Sequence, residues 1–547
     1  MKIVAAVFAD FAETFLGGPS QLATRIGSRS VLEHTLTRLM RVTGLAGRCL
    51  VVRPRDEQPA RAVVSGLGLE QTIDVLAVDD GVRPRRRLVR SARKWNLDAW
   101  RGSPFGTTWF DEYVEPLHAA RVLDHYGCEA LLCLDGHQPT LDPDIASGMV
   151  AHQAEHAAEA KFVFTQAPPG LAGIILGREF AGDLLEQELM VGILLTYRPE
   201  MPRPDLITRP ECLRVDTTVA QTAARLTGDT RRSRELLSEA FAELGDDCDA
   251  RQLCGWLRGA GRDRAGPLPL ELEIELTTDH PLPKTTLRPR GNRVSPRVVE
   301  DLDALSRVAA ELAEYDDRLV LLGGHGDPLV HPRFGEICGR IRAAGVCGLG
   351  VATPLVELSD HVLDTLFEHR VDLLEVQLDA DTTETYRRVH NADCFERVLA
   401  NVERIQKARQ ERVSPQPLLA CSLTRSAATL PEMEAFFDRW IKATGWAVIR
   451  GYRDYCGILP ADTLLHLAPP VREPCRRLWS RLILLADGAI PLCDQDVAGR
   501  SRVGDWRSEP LAAIWSGPPL ARARQAHTRL ELGRHPLCQR CREWFRP

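Results

Sequence analysis

No apolar stretch in this chain of 547 residues is long enough to cross a bilayer. The apolar run near Met1 is too short for a signal peptide, and Asp10 interrupts it, so the expected location is the cytoplasm. Charge of either sign is in little excess: 69 Lys and Arg stand against 75 Asp and Glu, a net −6. That balance gives no reason to expect a nucleic acid or an anionic membrane as partner. One basic run spans residues 83–94, with no aromatic ladder beside it for stacking bases. Internal repeats and long low-complexity tracts are also missing. Fifteen cysteines in a reducing compartment do not make a disulfide framework. They are unevenly spread, with none between Cys254 and Cys338 and four in the last 73 residues.

The chain is too long for one core, and about three to four domains is the prior. A Gly/Pro/Arg-rich stretch, 259–269, reads as a linker after an N-terminal domain of residues 1–258. That half begins with a buried-strand pattern at 3–8 and a Gly17-Gly18-Pro19 turn, then shows helical periodicity over 31–42. Further strands are expected at 48–52, 73–77, 130–134 and 161–164. Strands alternating with helices argue an open, doubly wound, mostly parallel α/β sheet. After the linker, residues 270–276 alternate strictly, which predicts a strand with one face buried. Strands at 318–322, 349–352, 372–378, 417–423 and 447–450, with helices at 296–314, 395–409 and 430–444, make six βα units. Right-handed crossovers would wrap residues 270–465 into a partial (β/α)6 barrel, with function at the C-terminal ends of its strands. From about Pro470 regular periodicity fades while Trp, Cys, Gly and Arg become frequent. Residues 466–547 therefore read as a small domain held by metal.

The cysteines of that last region are Cys475, then seventeen residues, Cys493, then forty-four, Cys538 and Cys541. Soft thiolates suit a zinc or an iron–sulfur centre, and the Cys-x-x-Cys pair at 538–541 can place two of them on one centre. Spacing leaves both open. The other eleven cysteines read as inert core residues.

The residues around the quartet carry a resemblance. Pro474-Cys475-Arg476-Arg477-Leu478-Trp479, Asp487-Gly488-Ala489 before Cys493, Val503-Gly504-Asp505, Ile514-Trp515 and Cys541-Arg542-Glu543-Trp544 resemble the SPASM domain of radical-SAM enzymes. The resemblance implies an auxiliary [4Fe–4S] cluster on these cysteines, and four ligands imply one cluster. Cys456, in Tyr455-Cys456-Gly457, is a candidate fifth participant. Upstream, the strand at 270–276 resembles the first strand of the radical-SAM barrel. There the family carries Cys-x-x-x-Cys-x-x-Cys, whose cluster binds and cleaves S-adenosylmethionine. His280, Lys284 and Leu287 occupy those positions here, so a normal catalytic cluster cannot form from this loop. Other markers persist. Leu321-Leu322-Gly323-Gly324-His325-Gly326-Asp327 resembles the glycine-rich motif that meets the methionine part of S-adenosylmethionine. Val376-Gln377-Leu378-Asp379 resembles the fourth-strand motif. Gly323, Gly324, Asp327 and Asp379 are thus the candidate cofactor-binding residues. Without an iron to anchor it, S-adenosylmethionine is expected to be held poorly.

In the N-terminal half, residues 17–35 resemble GT-A-like nucleotidyltransferases, notably CMP-sugar synthetases, with Gln21 where Lys is usual. Asp135-Gly136-His137 resembles their acidic metal-binding strand end, with His137 where a second Asp is common. The resemblance implies Mg²⁺ and a nucleotide in this half, with Asp135 the candidate catalytic residue and one carboxylate fewer for the metal. Arg93, Lys94 and Arg101 are candidates to supply phosphate-binding charge, or else a solvated or interdomain face. The whole resembles the spiro-SPASM architecture. The expectation is a radical-SAM homologue reduced in catalysis, with one cluster and a binding, modifying or regulatory role. Nucleotidyl transfer and radical chemistry at an unusual cluster site are the alternatives. A small molecule, a nucleotide-sugar and a peptide or protein are all admissible substrates; nucleic acid and membrane are not expected.

Overall fold

The computed structural model describes residues 1–79, 84–192, 204–260, 266–464 and 468–545. The chain divides into two compact units, Met1–Arg262 and Asp263–Pro547.

The first unit is built on β1 (Ile3–Phe8), six apolar residues that are all buried. Their side chains alternate across the pleat. Ile3, Ala5 and Val7 join one apolar cluster, and Val4, Ala6 and Phe8 join another. The sheet is therefore covered on both faces, which explains why the run is continuous rather than alternating. A ribbon of β2 (Arg25–Ile26) and β3 (Arg29–Ser30) leads into helix Val31–Leu39. That helix starts at a capping box, in which the Ser30 hydroxyl accepts from the Glu33 N–H and the Glu33 carboxylate takes the Ser30 N–H. β4 (Gly47–Val52), β5 (Asp74–Ala77), β6 (Ala130–Asp135), β7 (Phe162–Thr165), β8 (Ile174–Gly177) and β9 (Cys212–Leu213) complete a sheet of order β5-β4-β1-β6-β8-β7-β9. The first four of these are mutually parallel, and β8 runs antiparallel to both neighbours. Phe8 lies opposite Val51 on one side and Asp135 on the other, so three strands end side by side. The linker expected at 259–269 falls partly outside the described residues.

In the second unit, β10 (Glu271–Glu275), β11 (Leu319–Gly323), β12 (Gly348–Thr353), β13 (Leu373–Gln377), β14 (Leu418–Arg425) and β15 (Ala447–Gly451) lie in space as they lie in sequence. All neighbouring pairs are parallel. β16 (Arg481–Leu484), from the C-terminal stretch, adds a seventh parallel strand beside β10. The segment expected as a separate small domain thus contributes a strand to the barrel's own sheet. It also holds a two-stranded ribbon, β17 (Ala489–Pro491) with β18 (Arg502–Asp505).

One face of β10 is buried, as expected: Leu272 and Ile274 enter the apolar core. On the other face Glu271 pairs with Arg481 (2.8 Å), both partly exposed, while Glu275 is buried against Arg297 (2.8 Å). The alternation separates an apolar layer from a charged barrel interior. The helix expected from residue 296 begins only at Leu302. Before it, the Val299 N–H donates to Leu276 O, holding the chain extended against the end of β10. The Asp301 carboxylate then accepts the Ala304 N–H and sets the helix start.

Candidate functional site

The cysteine quartet gathers around one cavity of about 450 Å³ in the second unit. Cys475 precedes the short helix Arg477–Ser480, Cys493 follows β17, and Cys538 and Cys541 lie in and just after helix Pro536–Arg540. Cys456 lines the same cavity from the loop after β15. The thiols spread around the space. Among the described residues, no three His, Cys, Asp or Glu side chains group closely enough to hold a single metal ion.

Burial raises every one of these thiols: Cys493 far above its ordinary range, Cys538 and Cys456 to about 12, and Cys475 and Cys541 upward. A buried thiolate needs a cationic partner, and a metal centre is one that displaces the protons. The surroundings are already set for sulfur. The Glu543 N–H donates to Cys541 Sγ (3.3 Å), and Arg472 holds the Cys538 carbonyl (2.6 Å). Asp494, next to Cys493, is fixed between Arg477 (2.8 Å) and Arg453 (2.7 Å). Burial works against its charge, but the arginines prevail and hold its carboxyl far below the usual range.

His527 is the residue that sequence reasoning missed. Its Nδ1 accepts the Cys475 N–H (3.3 Å), which leaves Nε2 carrying the proton in the neutral ring. Burial pushes its pKa down to about 4, so the ring is neutral. Nε2 is buried, has no partner and belongs to a side chain lining the thiol cavity. Soft donors, an enclosed space and a buried N–H without an acceptor together fit an iron–sulfur cluster, whose sulfides accept hydrogen bonds. Histidine 52 residues beyond Cys475 gave no signal in the sequence.

A second cavity, about 800 Å³, occupies the barrel interior at the C-terminal ends of its strands. Its walls are charged. Arg450 forms a two-armed pair with Glu375, and Arg453 meets Asp494. Glu273 takes the Gly324 N–H (3.0 Å), and burial raises its pKa. Of the candidate cofactor residues, Gly324 lines this cavity. Its φ of +82° and the Glu275 side chain, 2.7 Å from where a Cβ would stand, require glycine. Gly323 ends β11 opposite Glu275. Asp327 is fully buried, where its carboxylate accepts the Leu329 N–H (3.1 Å) and caps a short turn. Asp379 is fully buried too, paired with Arg288 and accepting the Thr424 N–H (2.7 Å).

The loop after β10 packs as ordinary protein. His280 Nδ1 accepts the Leu282 N–H, Lys284 is exposed, and Leu287 packs with Val389, Tyr452 and Leu459. Thr285 bonds His390 Nδ1 (3.0 Å), and the Thr286 N–H donates to Val389 O (2.9 Å).

In the first unit a cavity of about 640 Å³ opens where β1, β4 and β6 end, lined by Asp135 and His137 among others. His137 Nδ1 lies 3.5 Å from Asp135 Oδ1. Asp10 is held by Arg53 (2.7 Å) and Arg86 (3.0 Å), and Glu13 by Arg86 and Arg90 (3.4 Å each). Gln21 is turned to Pro19 O and Thr24. Arg86, Arg90 and Arg93 of the basic run thus neutralise acids of their own unit, and its residue 83 lies outside the described residues. Arg93 corrects the expectation most clearly. It is wholly buried against Glu112 (2.8 Å) and faces neither a phosphate nor solvent. Arg101 pairs with Asp205 (2.8 Å).

Residues 283–418 match the family described as the Radical SAM superfamily, and residues 475–542 match SPASM, an iron–sulfur cluster-binding domain. An uncharacterized protein of Treponema pallidum (strain Nichols) is 26% identical over 295 residues, which are 51% of this chain and 79% of that one. A cytidylyltransferase from Leptospira borgpetersenii serovar Hardjo-bovis (strain JB197) shares 14% identity, covers 48% of this chain and 95% of its own, and has a TM-score of 0.34. Streptococcus suis SuiB bound to S-adenosylmethionine shares 11%, covers 53% and 79%, and has a TM-score of 0.39. No helix among the described residues is long and apolar enough to cross a membrane.

Proposed function

We propose that this chain, whose matched segments carry it into the radical SAM superfamily and its SPASM-type domains, holds one iron–sulfur cluster on Cys475, Cys493, Cys538 and Cys541 and none in the loop after β10. The observation that carries the reading is the meeting of four distant cysteines at one cavity, beside a buried His527 N–H that lacks an acceptor. When bound, such a cluster stores and passes single electrons. Zinc fits less well. Its four sulfurs must meet about 2.3 Å from one point, whereas among the described residues no three of these side chains group closely enough to hold a single ion.

The barrel then serves as a binding chamber rather than a radical source. His280 and Leu287 are engaged within the protein, Lys284 is a poor iron ligand on the surface, and Arg288 occupies Asp379. A chamber walled by charged groups such as Arg288, Glu375, Arg450 and Arg453 suits a polar small molecule or part of a peptide, so the function we infer is binding, modification or regulation without a deoxyadenosyl radical. The test is anaerobic protein given S-adenosylmethionine and a strong reductant. No 5′-deoxyadenosine should form, and its appearance would instead support radical chemistry at an unusual cluster site.

A second reading rests on the cavity at the ends of β1, β4 and β6, into which Asp135 opens. Asp135 would hold Mg²⁺ for nucleotidyl transfer to an acidic sugar. Pyrophosphate released from CTP and lost in Asp135→Ala would support it. No release with any of the four nucleoside triphosphates would remove it.

A further inference from the structure

Five thiols border the cluster cavity, although four complete the ligand set. The fifth, Cys456, is delivered there by an unusual backbone. Tyr455 (φ +50°), Cys456 (φ +55°) and Gly457 (φ +94°) are consecutive left-handed residues. Side chains rarely adopt that conformation, and where it occurs it often marks function. Asp454 clamps the turn: its carboxylate accepts the Cys456 N–H (3.0 Å), and its carbonyl accepts the N–H groups of Gly457 (3.1 Å) and Leu459 (2.9 Å). The turn sends adjacent side chains to different places, Tyr455 to the barrel chamber and Cys456 to the thiol cavity. Cys456 is half-buried and sits beside one arm of the quartet, where its Sγ lies 3.7 Å from Leu537 O, the carbonyl just before Cys538.

We propose that Cys456 is a reserve ligand of the iron–sulfur centre, able to replace Cys538 or Cys541 but not Cys475 or Cys493. This rests on the cluster reading given above. In the exchange, an iron–sulfur bond to Cys541 breaks and one to Cys456 forms. The Cys456 thiol proton passes to the departing sulfur, and no electron is transferred. The selectivity follows from placement, since Cys456 shares the wall of the Cys538–Cys541 arm.

The test uses full-length protein purified anaerobically, as wild type and as single Cys→Ala variants. Each is assayed for iron and sulfide, for its electron paramagnetic resonance when reduced, and for alkylation of Cys456 by iodoacetamide. Wild type and Cys456→Ala should carry equal iron, with Cys456 alkylated in loaded wild type. Cys541→Ala and Cys538→Ala should keep most of their iron, show an altered resonance and protect Cys456. Cys475→Ala and Cys493→Ala should lose iron more than about tenfold. The proposal is overturned if Cys541→Ala and Cys538→Ala are as empty as Cys493→Ala, if Cys456 stays reactive in their loaded forms, or if Cys456→Ala alone empties the site. Wild type without iron would sink the cluster reading itself.

Discussion

Arg288 and Asp379 form an ion pair buried in the barrel, joining the loop after β10 to the end of β13. Asp379 also takes the Thr424 N–H, and its φ is +57°. Breaking a buried pair from one side leaves a charge without compensation, typically at a cost of about 3–5 kcal/mol. Arg288→Met should destabilise the second unit on that order, read as a lower urea midpoint by hydrogen exchange in β13. Arg288→Met with Asp379→Asn should recover much of the loss. If the single variant unfolds like wild type, the pair does not fix the loop.

Acid should weaken the same unit through its buried histidines, with buried carboxyls of raised pKa opposing. Burial pushes His325 and His390 down to about 4, against 6.5 for an ordinary imidazole. A depressed pKa means stability that is present above 6.5 and lost as pH falls from 6.5 through 4. Each histidine contributes up to about 3 kcal/mol. Asp327 works the other way. Burial raises it to about 6 from an ordinary 3.8, so its ionisation weakens the fold as pH rises through that window. Asp327→Asn should therefore raise stability at pH 7 by up to about 3 kcal/mol and steepen the acid loss. Urea midpoints between pH 4 and 7.5 check this; an unchanged profile contradicts it.

The His527 Nε2–H is a buried donor without an acceptor, on a side chain that lines the thiol cavity. Hydrogen bonds to cluster sulfurs favour the more electron-rich state, so removing one lowers the reduction potential. His527→Phe should keep the iron and shift the potential downward in a redox titration. A loaded variant with an unchanged potential would show that His527 serves packing alone.

Much of the fold was legible because its strands carry strong patterns. The unbroken apolar run of β1 and the alternation of β10 gave both sheets, and the six barrel strands lie within a residue or so of their expected bounds. β16 was not legible, being four residues with Arg481 at one end and its partner 210 positions away in Glu271. That the four cysteines would meet was legible from the Cys-x-x-Cys pair at 538–541 and from the residues around each thiol, and they do line one cavity. The barrel chamber was not legible. Arg288 and Asp379 are 91 residues apart, and Arg450 and Glu375 are 75 apart, so their pairing exists only in the folded sheet. Arg93 was misread for the same reason, since Glu112 neutralises it from a neighbouring turn. His527 was invisible because its role depends on which nitrogen faces Cys475.

The most direct test is iron and acid-labile sulfide in the full-length protein purified without oxygen, measured for wild type and for Cys493→Ala. Wild type should be brown with the iron and sulfide of one cluster, and the variant colourless with neither. Zinc in place of iron, or iron that persists in Cys493→Ala at the level of a second cluster, would contradict the single-cluster reading.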